Sequence, residues 1–133
     1  MKVNTLLATA AALLGSASLA YAGQTIISPA LETGSNTAGA CYVRNIGKTP
    51  ISLQVTALEN LTPGFIPADF QNCNDAPLAG GHSCVLLVNN LPDDVTFECS
   101  AAVSGNVKNV RASAEVRAIL TGGLQVIAAQ DLR

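Results

Sequence analysis

Three stretches of this chain alternate apolar and polar residues with period two, the pattern of half-buried strands. In residues 95–103, Val95, Phe97, Cys99, Ala101 and Val103 share one face, opposed by Thr96, Glu98, Ser100 and Ala102. In residues 110–120, Val110, Ala112, Ala114, Val116, Ala118 and Leu120 oppose Arg111, Ser113, Glu115 and Arg117. In residues 51–57, Ile51, Leu53, Val55 and Ala57 oppose Ser52, Gln54 and Thr56. The alanines, Arg and Glu of 110–120 also suit a helix, but strict alternation favours a strand.

Turn residues divide the chain consistently with that reading. Asn45-Ile46-Gly47-Lys48-Thr49-Pro50 separates strand 41–45 from 51–57, and Thr121-Gly122-Gly123 forms a hairpin loop between 110–120 and 124–129. Gly105-Asn106 marks a further reversal. With 24–31 and 83–89, about seven short strands result, and an all-β, antiparallel, immunoglobulin-like β-sandwich is expected. Residues 60–81 stand apart, with Pro63, Gly64, Pro67, Pro77, Gly80 and Gly81 and little periodicity. A loop of that length is functional or tied down.

The beginning of the chain has a different character. Lys2, the apolar residues 6–14 and Ala20-Tyr21-Ala22 form the charged, apolar and small-residue regions of a secretory signal peptide. Residues 1–22 therefore read as a leader, leaving 23–133 as one domain of 111 residues. No Cys follows the cut, so a lipid anchor is not indicated. The predicted location is outside the cytosol, in the periplasm or the extracellular space.

Charge narrows the partners. Without Lys2 the domain carries six Lys/Arg against nine Asp/Glu, a formal −3. No basic cluster is visible along the sequence, which argues against nucleic acid. After the leader, the longest aliphatic run, Val85-Leu86-Leu87-Val88, is far short of the ~20 residues that span a bilayer.

Export gives the four cysteines a disulfide reading. Of the three connectivities, Cys41–Cys99 with Cys73–Cys84 is favoured. Cys41 lies in predicted strand 41–45, and Cys99 lies on the inward face of predicted strand 95–103. A bridge between them crosses the core, as the inter-sheet disulfide of immunoglobulin domains does. Cys73–Cys84 then closes the Pro/Gly-rich loop onto the next strand. A zinc site is disfavoured, because there is no C-x-x-C and His82 is the only histidine.

The segment from Cys41 to Ile51, followed by Cys73, the run Leu78-Ala79-Gly80-Gly81-His82-Ser83-Cys84, and Cys99, is similar to a group of small exported bacterial four-cysteine β-sandwich proteins of unassigned function. The resemblance implies an immunoglobulin-like fold and a two-disulfide pattern. It brings no catalytic or ligand-binding residue.

Catalytic chemistry finds few candidates. His82 is the only possible triad base, and it adjoins Ser83 without a G-x-S-x-G elbow. Asp93 and Asp94 are adjacent in a turn, which suits their local hydrogen bonding better than glycoside hydrolysis. There is no phosphate loop and no haem motif, so neither an enzyme nor a cofactor is expected. Asp69, Asn72, Asn74 and Asp75 surround Cys73 with oxygen atoms that suit calcium, although the spacing is not that of an EF-hand. Beyond the leader there is no Trp and one Tyr, a poor supply of platforms for sugar.

Protein contact remains. Leu61, Phe65, Ile66 and Phe70 are interleaved with Pro and Gly in the long loop. They form either an exposed contact patch or a satellite core closing one end of the sandwich. An open sheet edge accepting a partner strand is the second candidate surface. The sequence thus predicts a non-catalytic exported protein acting through contacts with an unknown protein partner. The alternative is a carbohydrate or calcium module using loop 65–75.

Overall fold

The structure is a computed structural model that describes residues 23–59 and 64–132. The leader assignment at 1–22 and residue Leu61 lie outside the described residues. Ten strands are present: β1 (Gln24–Ile27), β2 (Leu31–Glu32), β3 (Thr37–Asn45), β4 (Ser52–Glu59), β5 (Gly64–Ile66), β6 (Phe70–Gln71), β7 (Ser83–Val88), β8 (Thr96–Ser104), β9 (Val110–Leu120) and β10 (Gly123–Asp131). A 3-10 turn at Val107–Asn109 precedes β9. Among the described residues no helix is long and apolar enough to cross a membrane.

The strands form two antiparallel sheets with a shared core. One sheet runs β1–β8–β4–β5, with β2 also on β8, and the other runs β10–β9–β3–β7–β6. The predicted inward faces meet between them. Ile51, Leu53, Val55 and Ala57 are buried, as are Val95, Phe97, Cys99, Ala101 and Val103, and Val110 through Val116 at alternate positions. Phe97 fills the middle, its ring against the backbone of Gly39.

The expected seven strands become ten for two reasons. The predicted strand 24–31 is broken: Ser28 still exchanges bonds with Cys99, its N–H donating to the carbonyl and its hydroxyl accepting from the Cys99 N–H. Pro29 then has no N–H to offer the ladder, and pairing resumes at Leu31 opposite Phe97. The stretch read as an irregular loop holds β5 and β6, which are too short to show a period. One inward assignment also fails. Leu120 is about half exposed, because β9 continues past the end of β3.

Both expected disulfides are formed. Cys41–Cys99 joins β3 to β8 across the core, and Cys73–Cys84 ties the long loop to β7. Fully buried Asn45 organises the adjoining turn. Its amide donates to the carbonyls of Thr49 (2.8 Å) and Leu78 (3.0 Å), and its Oδ1 accepts from the Gly47 N–H (2.9 Å).

Candidate functional site: an apolar hairpin at a sheet edge

The two-residue loop Thr121-Gly122 closes β9 and β10, with Leu120 opposite Gly123 and Leu124 opposite Ile119. Gly123 has φ +132°, a conformation that L side chains rarely adopt. β3 begins at Thr37, opposite Ala118. Ile119 still donates its N–H to the Asn36 carbonyl (2.8 Å). From Leu120 onward the hairpin extends beyond the rest of its sheet.

That overhang explains an unusual surface. Ile119, Leu120, Leu124, Val126 and Ile127 are all substantially exposed, with Leu124 at 55% and Ile127 at 54%. β10 is also the last strand of its sheet, so one side of its backbone pairs with no described strand, although β2 of the other sheet lies close to it. Natural edges are usually blunted by Lys, Pro or a bulge. Here residues 118–130 contain no charge and no Pro. A bulge between Val126 and Ala128 leaves Ile127 without a cross-strand partner and is the one protective device present.

The inner part of β10 is anchored. Ala128 packs on the core beside Val116, its cross-strand neighbour, and the Leu132 N–H donates to the Ala112 carbonyl (3.0 Å). On the outer face, Arg117 is held by Glu115 and by the Tyr42 hydroxyl, to which its Nη2 donates at 2.7 Å. The hydrogen bond to Glu115 raises the Arg117 guanidinium above its ordinary value, outweighing partial burial. A fixed charged cluster therefore borders the apolar tip.

The residues singled out from sequence fall elsewhere. Phe65 and Ile66 lie on β5, and Phe70 lies on β6. These are end strands of different sheets, joined by residues 67–69 along one open side of the fold. Phe65 is 75% exposed and Phe70 52%, whereas Ile66 packs on the core. Of the three described residues, two rings therefore face solvent and one side chain joins the core. A cleft of about 180 Å³ lies beside Phe65, floored by Val55, Ala57 and Leu86.

The oxygen-rich residues around Cys73 are engaged one by one. Asp69 Oδ2 accepts from Asn89 N, Asn72 Oδ1 from Val85 N, and Asp75 Oδ1 from Gln71 Nε2. Asn74 bonds both backbone groups of Val55. These contacts aim the oxygens at separate partners rather than at a common centre. His82 is exposed at the start of β7, and Asp93 and Asp94 are exposed in the turn before β8, where Asp94 has φ +58°.

No known protein family matches this chain, and no characterised protein or solved structure does.

Sequence reading placed the hairpin but missed its exposed apolar surface, because it assigned Leu120 inward and treated 124–129 as an ordinary strand. The available signal was the uncharged run between Arg117 and Asp131, flanking a Gly-Gly turn.

Proposed function

We propose that this is an exported, non-catalytic protein that acts by docking a partner protein's extended segment along β10. The observation that carries the reading is the exposure of Leu124, Val126 and Ile127 on an end strand whose only charge is Asp131. Strand addition supplies main-chain hydrogen bonds for affinity and side-chain contacts for specificity. Burying the remaining half of each large side chain would contribute about 1 kcal/mol. Five such residues give roughly 5 kcal/mol, comparable with the low end of the ~4–15 kcal/mol cost of association. The apolar tip alone therefore makes a weak contact, and the backbone ladder has to supply the rest.

Export is supported by the two disulfides. An immunoglobulin-like relationship, with the small exported bacterial proteins as relatives, is supported by the adjacency of β3 with β7 and β4 with β8 and by the β3–β8 bridge. One departure weighs against it: β9 pairs with β3, and β1 with β8, whereas the last strand of an immunoglobulin domain stays beside the equivalent of β8.

Affinity capture from the native secretome tests the proposal, using wild type, Val126→Lys/Ile127→Lys and Phe65→Ser/Phe70→Ser. A partner lost only with the lysine pair supports docking on β10. A partner lost only with the serine pair moves the contact to β5 and β6, and no specific partner overturns the reading.

A second reading rests on the exposed rings of Phe65 and Phe70 near the shallow cleft: a carbohydrate module at 65–75. Glycan binding abolished by Phe65→Ala would favour it.

A further inference from the structure

On the outer face of the second sheet, Arg44 of β3 stands directly opposite Arg111 of β9, and Ser83 of β7 stands opposite Arg44. The next row on that face holds Tyr42, Ser113 and Asp131. These six residues line a cleft of about 220 Å³. Like charges directly opposite each other across two strands are destabilising. Here the one ion pair among the described residues is Arg117–Glu115, elsewhere on the face. Asp131 lines the cleft but forms no ion pair with either arginine.

Arg111 is also held in position. Its Nη1 donates to the carbonyls of Lys108 (3.1 Å) and Val110 (3.0 Å), leaving Nε and Nη2 to offer. The long-range field favours the same end. The turn carrying Lys48 and the 3-10 turn carrying Lys108 meet there, with the Ile46 N–H donating to the Asn109 carbonyl (2.8 Å). Four of the five described Lys/Arg are therefore gathered at one end. Glu98 near the start of β8, Glu32 and Glu59 on strands paired with that start, and Asp93 and Asp94 just before it lie at the other. A chain of net negative charge thus still presents a positive end that can steer anions.

We propose that Arg44 and Arg111 form a binding site for a multiply charged oxyanion, the sulfate or phosphate group of an extracellular anionic polymer. Guanidinium groups match such oxyanions through paired, charge-assisted hydrogen bonds. The hydroxyls of Ser83 and Ser113 supply further donors at the rim. The cleft is smaller than the ~300–1,000 Å³ of typical small-molecule sites, so it takes one anionic group rather than a whole ligand. This site does not depend on docking along β10.

Calorimetric titration with sodium sulfate and with dextran sulfate, at matched ionic strength and with neutral dextran as control, tests the site. Arg44→Gln and Arg111→Gln each remove half of a repulsive pair, so both variants are expected to fold. Each should weaken binding about tenfold or more, the loss of charge-assisted hydrogen bonds. Lys48→Gln/Lys108→Gln, outside the cleft, should change it less than about threefold, as expected for a screened surface field. Arginine-dependent binding of both probes supports the site and identifies the free ion as sufficient, whereas binding of dextran sulfate alone assigns it to polymer. Binding that falls equally in the lysine and arginine variants overturns the site in favour of a diffuse field. Failure of both probes to bind wild type also overturns it.

Discussion

The side chain of Asn74 pairs with the backbone of Val55 as a strand would. Its Oδ1 accepts from the Val55 N–H at 2.7 Å, and its Nδ2 donates to the Val55 carbonyl at 3.0 Å. A loop residue next to Cys73 thereby satisfies both main-chain groups of a fully buried position on β4. Replacing Asn74 by Ala leaves both groups without their partner and should cost about 1–3 kcal/mol. Urea unfolding would measure the loss, and hydrogen exchange should show faster opening at the Val55 amide.

The two disulfides close chain segments of very different length, with separations of 58 and 11 residues. In the chain-entropy picture, Cys41→Ala/Cys99→Ala should cost about 4 kcal/mol and Cys73→Ala/Cys84→Ala about 3 kcal/mol. All four cysteines are buried in the core, so the cavity left by the lost sulfurs burdens both variants and the loop lengths set the difference. Denaturant midpoints of the two double variants are expected in that order. Equal midpoints would show that unfolded-chain entropy does not set the difference.

Gly39 has no room for a methyl group, since a Cβ there would lie 2.6 Å from Cε2 and Cζ of Phe97. The ring is completely buried and cannot swing aside. Gly39→Ala should therefore destabilise by about 1–3 kcal/mol through overpacking. Thermal unfolding of Gly39→Ala, and of Gly39→Ala combined with Phe97→Leu, would separate that clash from any backbone effect. Partial recovery is expected in the combined variant.

Phe65→Ser and Phe70→Ser should leave stability within about 0.5 kcal/mol of wild type, because both rings face solvent. Ile66→Ser, between them in sequence but packed on the core, should be clearly more costly. A calorimetric melting series on the three variants distinguishes these outcomes. A large loss with Phe65→Ser would mean that the β5 edge is structurally covered.

What the sequence revealed followed from how many neighbours each strand has. β4, β8 and β9 alternate cleanly because each is eight or more residues long and packs one face on the core at three or more alternate positions. The favoured cysteine pairing came from the same alternation, with Cys99 placed on the inward face. β5 and β6 were invisible because three and two residues are too few to repeat. The tie between Asn74 and Val55 was equally hidden, since a side chain standing in for a strand leaves no periodic trace. At the hairpin the alternation persisted where its usual cause did not. Leu120 continues the inward series of Val116 and Ala118, but the sheet it would cover has ended. Apolar periodicity predicts a buried face only as far as the opposing layer extends. The cross-strand arginines were missed because Arg44 and Arg111 lie 67 positions apart and become neighbours only through the β3–β9 register.

The bond between Cys41 and Cys99 has a mechanical consequence. It joins the strand that holds β9 to the strand that holds β1 and β2. Tension applied at Gly23 and Leu132 would pass straight through the sulfurs, short-circuiting everything strung between them. Only the outer arms could pay out under load, while β4 through β7 would stay slack inside a covalent lasso.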